Sequence, residues 1–263
     1  MKHRLMHGLV ALSVIALAAC SDTAGPDGMD AQLESLLTLD VAMVAADALI
    51  EDVAELRLGF GGGIGASFGV LSDTIRNRSA RVRTVTSVFF DAEGNEQEAY
   101  DGVTTASVHR VSEISGEMNR GNSSATISWS GTISRMRDIM ITGLEGKETA
   151  RTANGTGSSA VSRSHHSDQN GDRSYDMTGT SIITDVVHAV PRNENPYPLS
   201  GTITRDVIVV IVNGRNGDET RTRHVVITFN GTQFATMTVN GESFEVDLST
   251  RDGRHPVRKK SGK

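Results

Sequence analysis

The chain is poor in cysteine, with one in 263 residues, and poor in proline, with five. One thiol excludes an internal disulfide and a cysteine-based metal site. Aromatic residues make up 4% of the chain, with a single tryptophan. Pockets for sugars, bases and drug-sized ligands usually recruit aromatics, so their scarcity counts against such a site. Positive charge is also short: 26 Lys and Arg stand against 32 Asp and Glu, a net charge of −6. That argues against general nucleic-acid binding, which needs a basic surface. No apolar run reaches the ~20 residues that cross a bilayer as a helix. The zinc-protease HExxH, the phosphate-binding loop, paired Cys motifs and the Gly-x-Ser-x-Gly elbow are all missing. The expectation is a protein that is not an enzyme and needs no cofactor or metal.

What is present begins with the first twenty residues. A basic cap, Met1-Lys2-His3-Arg4, precedes an apolar stretch from Leu9 to Ala16 and then Leu17-Ala18-Ala19-Cys20. Basic, then apolar, then small residues is the order of a secretory signal peptide. The ending resembles the lipobox of bacterial lipoproteins, and the only cysteine sits where that motif needs it. The resemblance covers residues 1–20. It implies that 1–19 is removed, that Cys20 becomes the first mature residue, and that lipid is attached there. It further implies a cell-envelope location with the membrane reached through acyl chains on Cys20. Asp22 lies one position too late to act as the inner-membrane retention signal of that family, which points to the outer membrane, facing periplasm or cell surface. Loss of Lys2 and Arg4 leaves 24 basic against 32 acidic residues, a net charge of −8.

After the leader, 20–29 reads as a lipidated tether, small, polar and turn-prone. Residues 30–58 carry leucines, valines and alanines at helical spacing. Asp30 and Asp40 both look like N-caps, so the segment reads as one amphipathic helix or a helix pair with an acidic, solvated face. Residues 59–80 form a Gly-rich linker. Gly61, Gly63 and Ala66 fit a dinucleotide-binding fingerprint, but the helix comes before the turn instead of after it.

Residues 81–249 read as an antiparallel β domain. Val82, Thr84, Thr86, Val88 and Phe90 alternate, and nine further strand segments follow. Asn-Gly recurs at 154, 170, 213, 230 and 240, the strongest short hairpin signal. The fold class is therefore mainly β: a long antiparallel meander, curled or barrel-like, with the N-terminal helix packed on it. Ser130–Arg135 returns as Ser200–Arg205, which suggests repeats over 82–160 and 161–249. Ser, Thr and Arg dominate one strand face, which reads as wet. Val207–Val212 is apolar on both faces, and the helix is the expected cover for the second. Residues 250–263 read as a basic, disordered tail, with contact to anionic headgroups as the alternative.

The densest set of candidate ligands is His165, His166, Asp168, Asn170 and Asp172. It begins like a calcium loop but has Arg173 where glycine is needed and Gly179 where the closing Glu is needed. His165 and His166 are neighbours in a strand and should face opposite ways. His109, His188 and His224 also lie in strands. The functional expectation is a lipid-anchored envelope protein whose β domain binds or scaffolds an envelope partner. A carrier of a lipid or other amphiphile in the curled sheet is the alternative, and an envelope hydrolase a weaker one. A filled concave face favours the first and an apolar cavity of several hundred Å³ the second.

Overall fold

The computed structural model describes residues 26–61, 81–120, 127–167, 172–190, 195–214, 217–249 and 257–259. Cys20 and the lipobox lie outside the described residues, as do 62–80 of the Gly-rich linker. The chain divides into two compact units, Met1–Leu36 and Leu37–Lys263. The described part of the first is the opening of helix α1, which runs over Pro26–Gly61. Proline suits a first helical turn, where its missing N–H leaves no bond unmade. The helix is one continuous element, so Asp30 and Asp40 are interior positions and not caps.

The second unit holds the rest of α1, from Leu37 onward, and a single antiparallel meander. Its strands are β1 (Arg81–Phe90), β2 (Glu96–Gln97), β3 (Ser107–Arg120), β4 (Ile127–Thr142), β5 (Ala150–Ser167) and β6 (Arg173–Ala189), followed by β7 (Ser200–Gly214), β8 (Gly217–Thr228), β9 (Phe234–Val239), β10 (Glu242–Asp247) and β11 (Val257–Lys259). They lie in the order β11-β10-β9-β8-β7-β6-β5-β4-β3-β1-β2, and among the described residues no ladder joins the two ends. The sheet is thus open. Both edges are short, and β11 carries Arg258 and Lys259, features that discourage edge-to-edge pairing. β11 forms inside the segment read as a disordered tail, pairing Val257 with Val246.

The central strands run to 14–18 residues in β3–β6, long enough for the sheet to bend along them. Small residues on the inner face allow this. A Cβ on Gly155 would come 2.8 Å from the Ile139 Cα, and one on Gly131 would come 3.0 Å from the Arg163 Cα. Neighbouring backbones approach closely at these glycines, which is where a sheet turns a corner. Asn154-Gly155 is therefore not a hairpin. The two stretches read as separate strands around it are one strand, β5, with a register shift between Ala153 and Gly155. The irregularity is tied across strands: Asn154 donates to the Asp185 carboxylate at 3.1 Å and accepts from the Asp185 N–H at 2.8 Å. Asn240-Gly241 does turn, with φ of 46° and 88°, both left-handed as the tight hairpin requires.

Ser130–Arg135 and Ser200–Arg205 occupy equivalent settings in β4 and β7, with Ile133, Arg135, Ile203 and Arg205 all buried. The dipeptide Tyr100-Asp101, which returns as Tyr175-Asp176, does not: the first is in a loop and the second in a strand. The proposed repeat boundary at 160/161 falls inside β5.

Helix α1 departs from the amphipathic expectation. Between Leu37 and Leu49 only Leu39 is exposed, at 39%. Leu37, Thr38, Asp40, Met43 and Ala46 are all buried, and at 100° per residue they are spread around most of the helix circumference. The inner face of the curled sheet encloses this stretch, so it forms part of the core. The second face of Val207–Val212 is correspondingly not under the helix. Val209 and Ile211 point inward and are buried, while Ile208 lies on the outer face, 48% exposed.

Candidate functional site: an arginine-lined concave face

Alternation in the strands sends a set of arginines inward. On the inner face, Arg110, Arg135, Arg137, Arg163, Arg205 and Arg223 are all buried, in phase with Ile133, Ile139, Val161, Ile203 and Val225. The outer face of β3, β6 and β7 carries the carboxylates Glu113, Glu117, Asp176 and Asp206, all exposed. The face read as wet from its Ser, Thr and Arg content is therefore two faces: Ser and Thr dominate outside, whereas Arg lies inside with the aliphatics. Long stems let arginine fill core volume while its planar group is satisfied locally.

Small residues make room for these side chains. Across the sheet, Arg135 is level with Ser159, Gly179, Val207 and Arg223, and Arg137 with Gly157, Ser181, Arg205 and Val225. Arg137 lies over Gly157, where an added Cβ would sit 2.8 Å from the arginine Cδ. Its guanidinium donates to the Met136 carbonyl at 2.9 Å. The Arg163 guanidinium stacks on Trp129, 4.3 Å from the ring centroid, an interaction that strengthens out of water.

The helix contributes the opposite sign. Asp40, 2% exposed, accepts from Arg173 Nε at 3.1 Å and from the Tyr175 hydroxyl at 2.9 Å. Arg173 Nε also reaches the Tyr175 oxygen at 2.9 Å, and its Nη2 lies 3.1 Å from His165 Nδ1. Arginine only donates, so His165 Nδ1 accepts and the neutral ring carries its proton on Nε2. That nitrogen stands 4.0 Å from Asp40 Oδ1, too far for a hydrogen bond. Burial would lower the Arg173 pKa, but the adjacent Asp40 carboxylate outweighs it and raises it. Burial, with the Asp40 carboxylate beside it, holds the Tyr175 phenol protonated well above its ordinary range. A raised folded-state pKa is a stabilising term that is complete below the unfolded value of about 10 and is lost as pH rises toward the folded value. Stability is expected to fall above about pH 10, and Tyr175→Phe should flatten that fall in urea titrations. An unchanged slope in the variant would show that Tyr175 does not carry it.

The histidines separate as strand geometry dictates. His165 points inward to the Asp40 cluster, whereas His166 points outward and pairs with Asp172 at 2.5 Å. Asp168 and Asn170 lie outside the described residues. His109 pairs with Asp138 at 2.6 Å and His224 with Asp206 at 2.7 Å, each on the outer face. His188 is buried in β6. No three of these groups converge as metal ligands among the described residues.

The inward arginines and the Asp40 cluster were missed in the sequence, although a signal for them exists. Ile133-x-Arg135-x-Arg137-x-Ile139-x-Ile141 places arginine in the same phase as the most apolar residues. With aliphatic residues assigned to the core, period two sends those arginines there as well.

Between α1 and the sheet remains a void of about 20 Å³, lined by Val41, Ala45 and Ala48 on the helix side and by Arg135, Ser181 and Arg205 on the sheet side. It has room for about one water-sized particle. Comparison of the chain with protein families, characterised proteins and solved structures returned no match.

Proposed function

We propose that the chain is a lipid-anchored cell-envelope protein, held to the membrane through acyl chains on Cys20, whose β domain binds or scaffolds another envelope component without catalysing a reaction. The observation that carries the reading of the domain is its filled concave side. Among the described residues helix α1 lies along that side, and the void beside Val41, Ala45 and Ala48 is about 20 Å³, far below the several hundred Å³ of a ligand pocket. This weighs for a scaffold over a carrier. The polar outer face of β3–β8, rich in Ser, Thr and carboxylates, is then the surface offered to a partner. The lipobox ending at Cys20 supports the anchor and the envelope location, with the outer membrane favoured by the position of Asp22.

Two experiments test this. Cys20→Ser is expected to leave an unprocessed precursor that takes up no labelled fatty acid. Cleavage after Ala19 together with labelling in that variant would overturn the anchor. Native mass spectrometry of the protein released from its own envelope is expected to show a stoichiometric protein partner. A co-purifying lipid in place of that partner would favour the carrier.

A further inference from the structure

Strand β2 shields only the end of β1, since it pairs with Phe89 and Phe90 alone. The rest of β1, Arg81–Val88, pairs with β3 on one edge, and among the described residues no ladder forms on the other. Burial agrees with an open edge. Val85 and Ser87 belong to the inner face but are only half-buried, whereas Ser112 and Arg110, directly opposite them on β3, are buried. Val82, on the outer face, is 56% exposed. A row of backbone N–H and C=O groups at such an edge is a template for another strand.

The two edges of this kind are guarded differently. On β8, β9 pairs only with Val225–Thr228. The stretch beyond it carries Asp218, Glu219, Arg221 and Arg223, charges of the sort that discourage pairing with another chain. Between Val82 and Val88 the only charged residue is Arg83, there is no proline or glycine, and the register with β3 runs without a bulge.

From this geometry we infer that the β1 edge pairs antiparallel with the same edge of a second copy, across a two-fold axis at Val85. On the outer face the residues around Val85 read alike in both directions: Val82, Thr84, Thr86, Val88. The axis therefore sets Val82 opposite Val88 of the second copy and Thr84 opposite its Thr86. Such cross-strand pairs of β-branched residues stabilise antiparallel ladders. Arg83 falls opposite Ser87, so no like charges meet. The ladder ends at Val88, just before β2 takes over at Phe89. It makes no use of the outer face of β3–β8, so it stands whether or not that face takes the partner proposed above.

The test is native mass spectrometry of the purified full chain, released from detergent at rising protein concentration. The wild type is expected to give a dimer. Thr84 and Thr86 are exposed, so replacing them leaves the core intact. Thr84→Lys with Thr86→Lys sets lysine against lysine twice and is expected to weaken the dimer roughly tenfold. Thr84→Glu with Thr86→Lys sets opposite charges at the same two places and is expected to retain it. A wild-type chain that stays monomeric, or a dimer that responds alike to both variants, would overturn the pairing.

Discussion

Asp40→Ala is expected to destabilise the protein by about 3–5 kcal/mol, the usual cost of leaving one member of a buried ion pair without the other. Arg173 would keep its charge among Tyr175, His165 and the core, with no carboxylate left at 3.1 Å. Tyr175 would lose the acceptor at 2.9 Å as well. For a domain of this size the midpoint should fall by roughly 10 °C. The pair need not be worth that much in itself, because the cost comes from stranding the partner. The double replacement Asp40→Leu with Arg173→Met removes both charges at similar volume and should recover much of the loss. If Asp40→Ala proves neutral in a urea titration, the carboxylate does not hold the helix to the sheet.

The second large effect is expected at Leu49, which lies on α1 with no exposed surface. Leu49→Ala removes three carbons from a fully enclosed position and should cost about 2–5 kcal/mol, depending on how far the surroundings close in. Leu39→Ala is the matched control on the same helix. Leu39 is the exposed member of the stretch from Leu37 to Leu49, and its loss should fall near the ±0.5 kcal/mol typical of surface changes. Similar costs at the two sites would mean that α1 is not enclosed as described.

The antiparallel meander was legible in the sequence because its signals are local. Alternation in Arg81–Phe90 and Phe244–Leu248 and the Asn240-Gly241 turn each act over a few residues. The helix was legible for the same reason, through leucine and alanine spacing. Its environment was not. Eight acids between Asp27 and Arg57 suggested a wet face, because helix charges are normally solvated. Only the fold reveals that Asp40 meets Arg173 and Tyr175, more than 130 residues away in the chain. Asn154-Gly155 misled in the opposite sense. The dipeptide favours a turn, but long-range pairing with β4 and β6 absorbed it as a bulge. Val207–Val212 correctly announced a strand with two apolar faces, but it could not say which of them the helix would take.

The account rests on α1 being an integral part of the core inside the curled sheet and not an accessory laid upon it. Native-state hydrogen exchange measures this directly, since amides that open only with the whole fold report the global stability. Amides of Val41–Val53 are predicted to exchange as slowly as those at the centres of β4–β8, with opening energies that track the global value in rising denaturant. Exchange of that segment by local opening, well below the free energy at which those strands exchange, would contradict it.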